Sequence, residues 1–162
     1  MDTKTDTYNI AKKAFEVVVV EDNKLANLIL CKELESTINE ISRTKKYPIK
    51  LKSFQFGADF LTYLETLESS HSKLIVFLDF YLENDLNGTK ILNRIKQKGI
   101  DATVIILSDA TNDQTSRDTV YLGAHCFLAK TKKTPIVCSS ILSGIIEQSI
   151  RDKDSSNLQL KT

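Results

Sequence analysis

Four short apolar runs, FEVVVV (15–20), KLIVFLD (73–79), TVIILS (103–108) and HCFLA (125–129), constrain this chain more than any other feature. Each is too short for a buried helix and rich in apolar residues; FEVVVV and KLIVFLD read as strands buried on both faces, TVIILS as the next strand and HCFLA as the last. IKLKSF (49–54) alternates polar and apolar residues and predicts a further strand. Between these runs the apolar period changes to that of a helix. Leu25, Leu28, Ile29, Leu34, Ile38 and Ile41 are expected on one helical side, followed by ADFLTYLETL (58–67) and by Ile91, Leu92 and Ile95, closed by Gly99. Thr111 with Gln114 forms a capping-box pattern for a helix to about Leu122, and Thr134 with Pro135 opens a last helix to about Ser149. Five strands alternating with five helices, joined by right-handed crossovers, imply an α/β fold: a single doubly wound five-stranded parallel sheet in the flavodoxin-like order 2-1-3-4-5 with helices on both faces.

At 162 residues, 41% of them hydrophobic, the chain is large enough for one core and offers no sign of a second. The polar stretches 1–13 and RDKDSSNLQLKT (151–162) are expected to be flexible tails flanking a domain at 14–150. Twenty-two lysines and arginines nearly cancel 21 acids, so no global field favours nucleic acid or an anionic membrane. No apolar run approaches the ~18 residues of a membrane span, and MDTKTDTYNI lacks the apolar stretch of a signal peptide. A cytoplasmic protein is expected. Cys31, Cys126 and Cys138 are odd in number and lack metal-ligand spacing, which suits buried or idle thiols in a reducing compartment. His71 and His125 have no cysteine or carboxylate at ligand spacing and are expected to be structural, and SRTKKYP (42–48) reads as a solvated loop.

In an open parallel sheet the functional crevice lies beyond the carboxyl ends of the strands. Glu21 and Asp22 follow the first strand, Asp79 ends the third, Ser108 ends the fourth, and Lys130 follows the fifth. Three acids gathered at one edge repel, and a hard divalent cation such as Mg²⁺, with its preference for carboxylate, carbonyl and water oxygens, relieves that repulsion. Asp79 is then a candidate nucleophile toward phosphorus, with Lys130 and Ser108 supplying charge and a hydrogen bond to the phosphoryl oxygens.

These residues, VVVVEDN, IVFLDF, VIILS and GAHCFLAK in order over about residues 15 to 149, make the chain resemble the response-regulator receiver domain of two-component signalling. The resemblance implies that Asp79 accepts a phosphoryl group and that Asp22 and Asp79 bind Mg²⁺ directly. Glu21 would act through water, and the Tyr81 carbonyl would complete the protein ligands. It implies that Ser108 and Phe127 are the switch hydroxyl and switch aromatic. It further implies a histidine kinase or phosphotransfer protein as donor and a protein effector downstream. The fourth and fifth helices would offer the natural surface for a homodimer. With only a short polar stretch after Ser149, a stand-alone regulator of the chemotaxis kind, not an enzyme, is expected.

The chain departs from the family pattern at three places. Glu83 stands where a proline is usual and Gly88 comes nine residues after Asp79, one later than usual, so the loop is expected to be one residue longer, with Glu83 and Asp85 as solvated charges. Asp109 replaces a small residue beside the phosphorylation pocket, where a carboxylate opposes an incoming phosphodonor by about 1 kcal/mol. Thr131 replaces the usual proline, and its preceding peptide is expected to be trans, since a non-proline cis bond costs about 3 kcal/mol. These departures keep open a second reading, a phosphorylation-independent receiver-like interaction module. A haloacid-dehalogenase-type phosphatase also uses a strand-end aspartate, but needs a second aspartate two residues on, where this chain has Tyr81. A flavin site is disfavoured because EDNKLAN lacks a small-residue phosphate cradle.

Overall fold

A computed structural model describes residues 14–68, 72–84, 86–109 and 113–159. Strands and helices alternate without exception: β1 (Phe15–Val20), α1 (Lys24–Lys45), β2 (Ile49–Phe54), α2 (Gly57–Thr66), β3 (Lys73–Asp79), α3 (Gly88–Lys98), β4 (Ala102–Ser108), α4 (Asp113–Tyr121), β5 (Cys126–Ala129) and α5 (Thr134–Gln159). The five strands form one all-parallel sheet in the order β2-β1-β3-β4-β5. The central position of β1, β3 and β4 explains their unbroken apolar runs, because helices cover both faces. Val17, Val19, Ile75, Phe77, Ile105 and Leu107 meet α1 and α5 on one side. Val18, Val20, Val76, Leu78, Val104 and Ile106 meet α2 and α3 on the other. By contrast β2 is an edge strand, and its lysines Lys50 and Lys52 remain exposed or nearly so, which discourages pairing with another chain.

Several local expectations shift. The buried stripe of α1 is Leu30, Leu34, Ile38 and Ile41. Leu25, Leu28 and Ile29, expected on that side, are instead 66%, 65% and 48% exposed. Stepping back from Leu30 by three and four residues reaches Asn27 and Ala26, so the three apolar residues fall off the covered face. Ser42 to Lys45 of SRTKKYP belong to the last turn of α1, which ends on Lys46 in the left-handed conformation (φ 56°), with Arg43, Lys45 and Lys46 exposed. Basic side chains there suit the negative end of the helix dipole. Gly99 caps α3 as expected, at φ 69°.

The last helix continues to Gln159 instead of ending near Ser149. Pairs one turn apart carry it through the polar stretch: Arg151 with Glu147 at 3.7 Å, Gln148 with Asp152 at 2.6 Å, and the hydroxyls of Ser155 and Ser156 bonded to the carbonyls of Arg151 and Asp152. Cys138 is buried and Cys31 and Cys126 are half-buried free thiols, and burial pushes the Cys138 thiol up to about 12. Among the described residues, no helix is long and apolar enough to cross a membrane. The stretch 1–13, His71, Asp85 and Thr111 of the capping-box pattern lie outside the described residues.

Candidate functional site

The carboxyl ends of β1, β3, β4 and β5 open into a cavity of about 640 Å³ that Glu21, Asp22, Asp79, Asp109 and Lys130 line together. Each is placed by a local device. Beyond β1, Asn23 caps α1, its Oδ1 accepting from the amides of Leu25 and Ala26 at 3.0 Å each. The same residue donates its own amide to Glu21 Oε1 at 3.1 Å, while Asn27 Nδ2 donates to the Glu21 carbonyl at 3.1 Å. Glu21 is thus held by side chain and main chain, and Gln55 Nε2 reaches the Asp22 carbonyl at 3.4 Å.

Asp79 is the last residue of β3 and accepts at Oδ1 from the Tyr81 amide at 3.2 Å. The chain then turns through Phe80, whose carbonyl accepts from Gly88 at 2.7 Å. A Cβ on Gly88 would come within 3.2 Å of the Phe80 Cα, a tight contact, so this close return of the loop favours glycine. Within this loop Asn84 takes the left-handed conformation (φ 61°), and Glu83 is exposed as expected. Ser108, fully buried at the end of β4, accepts at its carbonyl from the Lys130 amide at 2.8 Å. The loop after Lys130 is pinned by Thr134. Instead of acting as a helix cap, its Oγ1 turns back, accepting from the Thr131 amide at 2.7 Å and donating to the Ala129 carbonyl at 3.2 Å. Thr131 Oγ1 supports the turn by accepting from Lys133 N at 3.2 Å. There is no cis peptide among the described residues, so the bond before Thr131 is trans.

One ammonium serves three of these acids. Lys130 Nζ lies 2.6 Å from Glu21 Oε2, 3.0 Å from Asp79 Oδ2 and 3.8 Å from Asp109 Oδ2. Glu21 and Asp79 are 2% and 5% exposed, and Glu21, Asp22 and Asp79 each offer a carboxylate oxygen within 4.8 Å of the others. Burial, then the Glu21 charge, pushes the Asp79 carboxyl up to about 6, although Lys130 and the Tyr81 amide act in the other direction. Burial opposes the charge on Lys130, but its hydrogen bonds to Glu21 and Asp79 hold it above the ordinary lysine value. A buried site with more carboxylates than cations, all of its donors oxygen, suits a hard divalent cation.

Of the five residues placed at strand ends from sequence, Glu21, Asp22, Asp79 and Lys130 line this cavity, whereas Ser108 lies buried at the end of β4 and outside its lining. Tyr81 borders the same cavity, with its ring exposed and stacked edge-on against Phe80 at 4.8 Å. Phe127 lies half-buried on β5, its ring 6.4 Å from that of Phe80 and on the α2/α3 side of the sheet. The sequence pattern did not single out Asn23 or Asn27, which position Glu21, and it offered Thr134 only as a helix opener, whereas Thr134 braces the turn that carries Lys130. A cap-type residue directly before the apolar spacing of α1 was the available signal for Asn23; Asn27 reaches Phe54 across the fold and leaves no local pattern.

Among solved structures the chain is similar to the signal receiver domain of a DNA-binding response regulator from Colwellia psychrerythraea 34H, at 22% identity and a TM-score of 0.65 over 82% of this chain and 98% of that one. It is similar to the response regulator DrrB of Thermotoga maritima, at 23% identity and a TM-score of 0.64 over 84% of this chain, and spans about half (54%) of that protein. It is also similar to the receiver domain of a Francisella response regulator, at 19% identity and a TM-score of 0.59 over 78% of this chain and 94% of that one. No family model and no curated protein matches the sequence. At these identities the likeness is one of fold.

Proposed function

From the receiver fold as premise, we propose that the chain is a phosphoacceptor signalling domain in which Asp79 takes a phosphoryl group from a phosphohistidine of a kinase or phosphotransfer protein. The observation that carries this reading is the single ammonium of Lys130 within 3.0 Å of both Glu21 and Asp79, at a strand-end edge where three carboxylates converge. Asp22, Asp79 and the Tyr81 carbonyl would hold Mg²⁺, with Glu21 acting through water. When bound, the ion neutralises the acids and the charge on the phosphoryl oxygens.

The chain's own groups supply the rest. An Asp79 carboxylate oxygen attacks phosphorus, a P–O bond forms, the P–N bond breaks, and its electron pair stays on the imidazole nitrogen. Lys130, already 3.0 Å from Asp79, pairs with one phosphoryl oxygen. Ser108, at the end of the neighbouring strand, donates to another. Its movement and that of Phe127 would bias the face formed by α4, β5 and α5, which a protein effector reads. The catalytic roles of Asp79, Ser108 and Lys130 and the switch role of Phe127 rest on placement.

A second reading, an interaction module that signals without phosphorylation, is favoured by Asp109 at the mouth of the cavity and by Thr131 after Lys130. Mass measurement after incubation with phosphoramidate and Mg²⁺ separates the two. The phosphoacceptor reading expects one added phosphoryl group on the wild type and none on Asp79→Asn. An unchanged wild-type mass at saturating donor would leave only the module.

A further inference from the structure

Asp109 is the acid of this cavity that the proposed chemistry leaves without a task. It directly follows the buried Ser108, yet its side chain is 84% exposed, and its carboxylate lies 3.8 Å from Lys130 Nζ. It lines the same cavity as Asp79, on the solvent side of the ammonium. Among the described residues, six charged ones border that cavity: Glu21, Asp22, Asp79 and Asp109 against Lys130 and Lys132. A divalent cation would bring this set to neutrality with Asp109 present, and to a net positive charge without it.

We infer that Asp109 is a charge gate that selects the phosphodonor by its net charge, disfavouring small dianionic donors. This rests on Asp79 being the phosphoacceptor. The same carboxylate acts on the two approaching ions with opposite sign. It attracts a divalent cation and repels a dianion, and both forces act across the mouth of one cavity. A residue that merely supported the local fold would weaken both events when replaced.

Two small donors of different charge make the gate measurable. Acetyl phosphate approaches as a dianion; on transfer the Asp79 carboxylate displaces acetate, which leaves with the electron pair of the broken P–O bond. Phosphoramidate carries a protonated nitrogen and a net charge of −1; transfer breaks its P–N bond and releases neutral ammonia. Both reactions balance without an added proton. Because Coulomb energy is proportional to the donor's charge, the effect of removing Asp109 on the dianion is the square of its effect on the monoanion. For a surface separation of several ångströms this is about tenfold against about threefold.

The test compares wild type, Asp109→Asn and the larger control Asp109→Gln. Initial phosphorylation rates are followed by mass with each donor at a subsaturating concentration, and Mg²⁺ binding is followed separately by amide chemical shifts. The expected result is that both variants react about tenfold faster with acetyl phosphate and about threefold faster with phosphoramidate, while binding Mg²⁺, also doubly charged, about tenfold more weakly. Equal acceleration by both donors, or unchanged or tighter Mg²⁺ binding, would overturn the gate while leaving Asp79 as acceptor. Absence of label on every protein from either donor would overturn the phosphoacceptor reading, and the gate with it.

Discussion

Two acid clusters lie at opposite ends of β1, and only one of them is electrically balanced. Near the amino end Glu16 accepts from the Tyr63 hydroxyl, and Lys52 Nζ stands 4.0 Å from its carboxylate and 4.0 Å from the Tyr63 ring centroid. One acid has one cation and one neutral donor, and burial together with Glu16 pushes the Tyr63 phenol up, keeping that proton in place. At the carboxyl end a single lysine is shared among Glu21, Asp79 and Asp109, with Asp22 beside them. The first cluster closes the edge of the sheet above α2. In the second, among the described residues, charge remains to be neutralised, and the proposed function assigns that charge to an arriving cation and phosphoryl group.

Removing a cation should separate the two most sharply. Lys130→Met leaves Glu21 and Asp79 without their shared partner and is expected to cost the metal-free fold about 3 kcal/mol in urea denaturation. Lys52→Met, at an exposed pair, is expected to cost under about 1 kcal/mol. Next in size is the response to Mg²⁺. At one hundred times its dissociation constant the ion is expected to stabilise the wild type by about 2.7 kcal/mol. The same gain should persist in Glu16→Gln and be largely lost in Asp79→Asn; a gain that depended on Glu16 would break the comparison.

Smaller is Glu16→Gln itself, expected to destabilise by about 1 kcal/mol through a weakened bond to Tyr63. The smallest effect has the opposite sign. The folded Asp79 keeps its proton up to about 6, whereas the unfolded carboxyl loses it near its ordinary value, so the metal-free wild type loses stability as pH rises through that window. Asp79→Asn should therefore stabilise the metal-free protein at pH 8 by about 1 kcal/mol and change it little at pH 4. Apparent Mg²⁺ affinity should fall as pH drops below about 6, because the proton on Asp79 competes with the ion.

The strands β1, β3 and β4 were legible because burial on both faces leaves an unbroken apolar run, and Glu21, Asp22, Asp79 and Ser108 stood out because each ends or follows such a run. Asp79 is conspicuous in KLIVFLD for that reason. The apolar residues at the start of α1 misled, since Leu25, Leu28 and Ile29 carry the hydrophobicity of a core face but are exposed, and of the three Ile29 borders the cavity. The end of α5 was missed because hydroxyl and ion-pair bonds one turn apart hold a segment that composition alone marks as loose. What positions Glu21 and Lys130 was hidden for a different reason. Asn27 bonds to Glu21 and to Phe54 on another strand, and Thr134 reaches back across a turn, so both are contacts of the folded chain that no local period encodes.

The most direct test follows both ends of β1 in one spectrum. Amide resonances are recorded for the metal-free protein, with Mg²⁺, and then with Mg²⁺ and beryllofluoride, an unreactive mimic of the phosphoryl group. The expected result is that Mg²⁺ moves the amides of Glu21, Asp22, Asp79 and Tyr81, that beryllofluoride extends the change to Ser108, Phe127 and Lys130, and that Glu16 and Tyr63 stay still. A spectrum in which neither addition moves Asp79 would contradict a cation and phosphoryl site at this edge of the sheet.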